Sequence, residues 1–350
     1  MNAIRRRMAR LAAGAMPFDD LPGEALSRMQ IKLRLPKVLE HDGRIAVGPW
    51  MSELGFEILY WIPFLRWLRD RFELDPARLV AVSRGGVGSW YADVCRDYAD
   101  IFEWVGPDEF RELTHERWAE TGGQKQMFLS RWDEHVLRAA GPRLGWDGEP
   151  VLHPSIMYHA FRRFWKGADS IRHVERHMTF ARIAPPSMPE VERGLPDEFV
   201  AVKFYFRPSF PDIPENREFV ARVLARLAQQ EPVVLLNTGI GVDDHVDAEA
   251  GTGNGIFCPL EGVPAQINLG AQCAIISRAR AFLGTYGGLS YVPMVYGVPS
   301  FAFYSDRSHF LPSHLDVARR AAAAHGTSFA ALDAGKMDAL ALVTTEEIAA

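Results

Sequence analysis

Phe282-Leu-Gly-Thr-Tyr-Gly-Gly-Leu-Ser-Tyr-Val-Pro-Met-Val-Tyr-Gly-Val-Pro299 is the stretch on which the fold turns. Ala281–Thr285 reads as a buried strand, and Gly287 and Gly288 break it with a tight turn. A helix over Gly287–Tyr296 follows and stops at Gly297. Pro299–Tyr304 is the next apolar run. Strand, helix and strand in this span require a crossover connection, so the two strands are expected to lie parallel. The pattern continues on the N-terminal side. Phe199–Tyr205 reads as a strand and Asn216–Gln229 as a helix with Phe219, Val220, Val223, Leu224 and Leu227 on one face. Val233–Asn237 reads as a strand and Ala265–Arg278 as a helix.

The first third of the chain repeats the logic. Arg44–Trp50 reads as a short strand, Phe56–Phe72 as a helix entering the core, and Leu79–Ser83 as a second strand closed by Arg84-Gly-Gly-Val-Gly-Ser89. Residues 90–195 are rich in Trp, Arg, His and Glu, with helical stretches near 90–103, 127–139 and 155–166 and short strands only near 102–105. Pro185, Pro186, Pro189 and Pro196 mark a linker. The expected class is α/β, with two Rossmann-like doubly wound domains facing across a cleft. The expected divisions are a basic N-terminal arm at 1–40, a domain at 41–190, a second at 197–325 and a tail at 326–350.

Composition narrows the class. Of 350 residues, 48% are hydrophobic and 24% charged, which excludes a disordered chain. Three cysteines, Cys95, Cys258 and Cys273, are too few for a disulfide scaffold. No apolar run reaches the roughly 18 residues that span a bilayer. A net charge of -5 argues against a nucleic-acid partner. That charge is uneven. Residues 1–38 hold Arg5, Arg6, Arg7, Arg10, Arg28, Lys32, Arg34 and Lys37 against Asp19, Asp20 and Glu24, a net of +5, which leaves −10 on the remainder. Two readings stand for the basic head: a solvated terminus, or a weak peripheral contact with an anionic membrane surface. Without the apolar core of a secretory signal, the expected location is the cytoplasm, with or without that contact at the inner face of the membrane.

The glycine turn also carries chemistry. Gly287 and Gly288 leave room for backbone N–H groups to approach a ligand. The following helix N-terminus favours negative charge by about 0.3–1 kcal/mol, a setting that suits a diphosphate. Thr285 and Ser290 add hydroxyls, and Tyr286 and Leu289 complete the segment. The alternative is an ordinary turn of a parallel sheet. In its order of strand, G-T-x-G-G-L-S, short helix, G-V-P and strand, the segment resembles the nucleotide-sugar site of GT-B glycosyltransferases. It is most similar to the heptosyltransferase-like group, where G-T-D-[ST]-G-L-x-H precedes a short helix. Tyr286 stands where that group has an acidic residue, and Tyr291 where it has His, so the heptose itself is not implied.

Ser52-Glu-Leu-Gly-Phe-Glu-Ile-Leu-Tyr-Trp-Ile-Pro-Phe-Leu-Arg66 resembles the first loop and helix of the same group, in which L-G-D precedes an apolar stretch. The resemblance implies an acidic residue facing the acceptor as general base. Glu57 lies one residue beyond that Asp, and Glu53 lies on the other side of Gly55. Either carboxylate could take the proton of an acceptor hydroxyl, a contribution on the order of 10²–10⁴ in rate. Either could equally complement the helix dipole. Ser52, Gly55 and Arg84 are expected on the acceptor side.

Lys203, Tyr205 and Arg207 alternate along and beyond a strand, which places them on one face. Lys203 and Arg207 either offset charge on a leaving nucleoside diphosphate or stand as solvated charge at the sheet edge. Asn237, Thr238 and Gly239 follow another strand and either line the site or form a surface loop. Glu261 could hydrogen-bond a ribose. The glycines after Arg84 do not fit G-x-G-x-x-G spacing. The chain holds no Asp-x-Asp, no H-E-x-x-H, no G-x-S-x-G and no P-loop.

The resemblance implies a metal-independent, inverting glycosyltransferase that needs no cofactor. Its co-substrate would be a nucleotide-sugar and its acceptor a glycan or glycolipid. Rival readings are a nucleotide-sugar epimerase of the same fold, a non-catalytic nucleotide- or carbohydrate-binding protein, and a dehydrogenase.

Overall fold

The computed structural model describes residues 25–146, 148, 150–241, 246–248 and 255–337. The chain divides into two compact units, Met1–Phe180 and Ala181–Ala350. Each is an α/β unit built on a parallel sheet.

Unit 1 carries the strands β1 (Ile45–Val47), β2 (Leu79–Ser83), β3 (Asp97–Asp100) and β4 (Val151–Leu152), in the order β3-β2-β1-β4. All pairings are parallel. Every residue of β1 and β2 is buried, as expected of strands covered on both faces. Between β1 and β2 the chain is helical from Leu54 to Phe72. It opens as α-helix over Leu54–Phe56, widens to a π-helix over Glu57–Trp61 and returns to α-helix over Ile62–Phe72. The wide turn precedes Pro63, which has no N–H to offer the carbonyl four residues back. It carries Glu57 into the interior.

Three expectations for this unit are corrected. The stretch near 90–103 is not one helix. It holds a single helical turn over Gly88–Tyr91 and then β3, an edge strand with Asp at both ends. Those aspartates conceal it from a reading based on apolar runs. The expected short strand near 102–105 is instead a 3-10 turn over Ile101–Glu103. Residues 25–40 of the supposed arm form the helix Ala25–Glu40, which buries Ile31, Leu35, Val38 and Leu39. Residues 1–24 lie outside the described residues.

Unit 2 carries β5 (Val200–Lys203), β6 (Tyr205–Phe206), β7 (Val233–Leu235), β8 (Val246–Asp247), β9 (Ile256–Phe257), β10 (Ala281–Thr285), β11 (Ser300–Tyr304) and β12 (Phe329–Asp333). Six form one parallel sheet in the order β12-β11-β10-β5-β7-β9, while β6 pairs antiparallel with β8. The core on one side joins Val202, Phe204, Phe206 and Phe303 to Phe219, Val223 and Leu227 of the helix Pro214–Ala228. β12 pairs along its whole length with β11, so the sheet runs past the expected boundary at 325. The linker expectation is also shifted, since the units divide at Phe180 and Pro189–Glu192 is a short helix.

Strand order marks where the sheet changes direction. From β5 the sheet grows one way through β7 and β9. The chain then returns to the other side of β5 and continues through β10, β11 and β12. The direction reverses between β5 and β10, and in open parallel sheets ligands lie beyond the carboxyl ends of the strands at that reversal. Among the described residues no helix is long and apolar enough to cross a membrane.

The close pairing of β5 and β10 gives a stability test. Gly284 faces Lys203 in register, and a Cβ at Gly284 would collide with the Lys203 carbonyl oxygen. A backbone atom in mid-sheet cannot swing aside. Gly284→Ala is expected to lower the unfolding free energy of unit 2 by about 1–3 kcal/mol, measured by urea denaturation. An unchanged midpoint would mean that the strands can separate at no cost.

Candidate functional sites in the two units

At the reversal point of unit 2, β5 and β10 are tied beyond their last paired residues. Thr285 Oγ1 donates to the Tyr205 carbonyl at 2.7 Å and accepts from the Tyr205 N–H at 2.9 Å. Thr285 is completely buried. Ser290, also completely buried, donates its Oγ proton to the Gly287 carbonyl at 2.7 Å and accepts from the Gly287 N–H at 3.3 Å. Both hydroxyls are taken up within the fold. This corrects the expectation that they reach a ligand: they shape the turn.

Gly287 is needed for space. Its backbone is extended, so conformation alone does not demand glycine. A Cβ there would collide with the Tyr205 hydroxyl and come within 2.5 Å of Arg207 Nη1. The Arg207 guanidinium therefore lies directly on the turn. The loop that carries it is closed by paired backbone bonds between Arg207 and Phe210, at 3.0 and 2.9 Å. Ser209 fixes that loop to the ends of two neighbouring strands. Its Oγ donates to the Tyr286 carbonyl at 3.3 Å, and its carbonyl accepts from the N–H groups of Ser305 and Asp306 at 2.9 and 3.1 Å. A half-buried cation and the start of the 288–295 helix thus meet at one point.

The aromatic residues here differ from the sequence pattern they replace. Tyr286, in the acidic position, is nearly buried. It packs against Phe310 at 5.1 Å and against Tyr304 at 6.3 Å. Burial raises its phenol above the ordinary range, so it stays a neutral hydroxyl. Tyr291, in the His position, lies against Phe329 at 5.3 Å. Leu289 is buried beside them.

Lys203 has a different neighbour from Arg207. Its Nζ donates to the Leu236 carbonyl at 3.1 Å and to Asp247 Oδ2 at 2.6 Å. Burial lowers its proton affinity, and the Asp247 charge opposes that. The lysine thereby anchors β8 to the end of β7. Asn237 Nδ2 donates to the Ala248 carbonyl at 3.0 Å, and Thr238 Oγ1 accepts from the Ile240 N–H at 3.4 Å. Gly239 has φ of 69°, a left-handed value suited to glycine. Glu261 is exposed, and its charge acts on Cys258. The 242–245 part of the Asn237 loop lies outside the described residues.

Unit 1 builds a buried carboxylate. Glu57 is fully buried. Its Oε1 accepts from Ser83 Oγ at 2.5 Å and from Tyr91 OH at 2.6 Å. Its Oε2 makes no hydrogen bond among the described residues, with Arg84 Nη1 at 3.9 Å. Burial pushes its pKa up to about 7, against the pull of Arg84, Ser83 and Tyr91. Arg84 is itself buried and donates to the carbonyls of Trp50 at 3.4 Å and Ser52 at 3.0 Å. Ser52 Oγ donates to the Gln124 carbonyl at 3.0 Å and lies 2.9 Å from Tyr158 OH. Gly55 is buried in the first helical turn. Glu53 is half-buried at the helix start and makes no side-chain cap. The structure therefore joins Glu57 and Arg84, with Ser52 adjacent through Arg84.

Sequence reasoning missed the partners Ser83, Tyr91, Tyr98 and Asp100. Asp100 accepts from the Gly86 N–H at 2.6 Å, Tyr98 OH at 2.8 Å and the Phe102 N–H at 2.9 Å. It thereby holds the Arg84–Ser89 loop, in which Gly85 and Gly86 have φ of 76° and 82°. The available signal was Asp97-Tyr-Ala-Asp100, whose alternation puts Tyr98 and Asp100 on one face of a strand.

No family model matches the chain, and no curated protein matches it. Solved structures do. A glycosyl transferase family 9 protein from Veillonella parvula is 14% identical with a TM-score of 0.44, covering 83% of this chain and 86% of that one. The ADP-heptose heptosyltransferase II of E. coli is 12% identical at 0.46, covering 86% and 96%. A UDP-GlcNAc 2-epimerase from Methanocaldococcus jannaschii is 8% identical at 0.37, covering 87% and 93%.

The Glu57 environment sets a pH dependence. Its carboxyl holds a proton more tightly in the folded chain, at about 7, than at its ordinary 4.5. The folded state therefore binds more protons than the unfolded state in that window, and stability falls as pH rises through it. The full effect is about 3 kcal/mol. Urea unfolding at pH 4.5 and 7.5 should show that the wild type loses about this much more than Glu57→Gln. Equal losses in both proteins would place the titration elsewhere.

Proposed function

We propose that the chain is a glycosyltransferase that moves a sugar from a nucleotide-sugar donor to a hydroxyl of a glycan or glycolipid. The observation that carries this reading is the seating of Arg207 on the Gly287 turn, at the reversal between β5 and β10. A guanidinium fork beside a helix start is suited to the oxygens of a diphosphate. The resemblance of the same segment to the donor site of GT-B enzymes supports the assignment.

Unit 2 binds the donor. Arg207 stabilises the charge that develops on the nucleoside diphosphate as its bond to the anomeric carbon breaks. The base falls to unit 1. Glu57 has the raised proton affinity that suits a base near neutrality, whereas Glu53 is half-buried at the helix start, where its charge acts on Lys125 and Tyr158. The acceptor oxygen attacks the anomeric carbon, its proton passes to the Glu57 carboxylate, and the nucleoside diphosphate leaves with both bonding electrons. Direct displacement inverts the anomeric configuration. The nucleotide-sugar is a co-substrate, and no resident cofactor is required by this scheme.

The donor assignment predicts that calorimetric titration with nucleoside diphosphates finds a ligand whose affinity falls about tenfold or more in Arg207→Gln. A variant that binds as tightly as the wild type would remove Arg207 from the site. The base assignment predicts that, with a transferring substrate pair, Glu57→Gln loses on the order of 10²–10⁴ in turnover with donor affinity retained, whereas Glu53→Gln stays near wild type. Wild-type kcat/KM should rise through pH about 7. The reverse ranking of the two variants would move the base to Glu53.

A further inference from the structure

A cavity of about 460 Å³ opens on unit 1, and none of its lining residues is a partner of the Glu57 carboxylate. Its size falls in the range of small-molecule sites, roughly 300–1,000 Å³. Lys125, Arg162 and Lys166 supply positive charge to its wall, and Met127, Phe128 and Trp165 supply apolar surface. The seventh lining residue, His159, has its Nε2 at 2.9 Å from the Met127 carbonyl.

The chemistry of this wall is one-sided. None of the lining residues has a carboxylate, amide or hydroxyl side chain, so the wall offers donors and few acceptors. A bare sugar, whose hydroxyls both donate and accept, is poorly matched. The positive charge is also held in place. Lys125 Nζ sits 4.7 Å from the ring centre of Trp165 and 5.1 Å from that of Phe56, positions that fix an ammonium over aromatic faces. Partial burial disfavours its charged form, and Glu53 provides only partial compensation. An incoming anion would complete that compensation. The Trp165 indole N–H is buried with no hydrogen-bond partner among the described residues. Phe128 is 46% exposed at the same wall, a large ring left in water.

We propose that this cavity binds an amphiphilic anion, a phosphate or carboxylate head carried on an apolar body. The head meets Lys125, Arg162 and Lys166, and the body covers Phe128, Met127 and Trp165. The proposal does not depend on the glycosyltransferase reading, since it concerns binding and its residues differ from Arg207 and Glu57.

The test uses the full chain labelled with 15N at its tryptophan indoles, with the Trp165 signal assigned by Trp165→Phe. The probes are n-octyl phosphate below its micelle concentration, inorganic phosphate and octyl glucoside. Octyl phosphate is expected to shift the Trp165 signal saturably. Inorganic phosphate should bind at least about tenfold more weakly, and octyl glucoside should not saturate. Lys125→Met combined with Lys166→Gln should weaken octyl phosphate by about tenfold or more at an unchanged Tm. If that pair does not fold, Arg162→Gln alone carries the test, with a loss of about threefold or more. Equal binding of inorganic phosphate would overturn the role of the apolar wall. Equal binding of octyl glucoside, or full binding by the folded variants, would overturn recognition of charge. Absence of any shift with octyl phosphate would overturn the site.

Discussion

The two hydrogen bonds between Thr285 Oγ1 and the backbone of Tyr205 set the geometry on which the placement of Arg207 over the Gly287 turn depends. Strand pairing between β5 and β10 ends at Lys203 and Gly284. Past that point two parallel strands ordinarily splay toward their separate loops. A buried hydroxyl that both donates and accepts extends the ladder by one residue. It costs nothing in unsatisfied polar groups, because each partner of the pair is paired. The consequence is positional: Tyr205 and, two residues later, Arg207 are carried over the Gly287 turn. Any side chain at Gly287 would push the guanidinium away. The threonine, the glycine and the arginine are thus parts of one device.

Unit 1 applies the opposite treatment to a carboxylate. Water is removed from Glu57 and replaced by two hydroxyl donors on a single oxygen, with a guanidinium at the outer limit of ion pairing. Close pairing with Arg84 would have held the carboxyl ionised well below neutrality. Arg84 instead directs its donors to the carbonyls of Trp50 and Ser52, and burial becomes the larger effect on Glu57. The π turn over Glu57–Trp61 matters here. It aims one acidic residue inward from a segment whose other inward residues are Ile58, Leu59, Tyr60 and Trp61.

Much of this fold is legible in the sequence. β2 and β10 lie where their apolar runs place them, at Leu79–Ser83 and Ala281–Thr285, because fully buried parallel strands need continuous apolar residues. β3 is not legible by that rule. It is an edge strand whose Asp100 holds the Arg84–Ser89 loop and whose Asp97 pairs with Arg44. β12 was missed for a related reason. Phe329-Ala-Ala-Leu-Asp333 is short, small in volume and mostly half-buried. For the sites, the sequence points to Glu57, Arg207 and the glycine turn, since these depend on local order along the chain. It does not disclose that Lys203 is occupied by Asp247, or that Ser83 and Tyr91 meet Glu57. Those contacts join residues 26 to 44 positions apart, and no local pattern encodes them.

The two departures from the heptosyltransferase-like motif acquire a common physical meaning in the folded chain. An acidic residue at 286 would place negative charge within reach of Arg207, whose field already acts on Tyr286. It would lower the net positive potential at the turn. A tyrosine there stays neutral, packs against Tyr304 and Phe310, and leaves the arginine as the dominant local charge. Tyr291 likewise replaces an ionisable imidazole with a ring that lies against Phe329. Both tyrosines bring aromatic rings to the turn, and their hydroxyls are hydrogen-bonded to one another. Within the proposed donor assignment, selectivity at this turn comes from Arg207, from backbone N–H groups and from shape. Within the proposed donor assignment, the phosphates become the principal anchor of the ligand, and the sugar is discriminated by how it fits the ring surfaces rather than by a carboxylate.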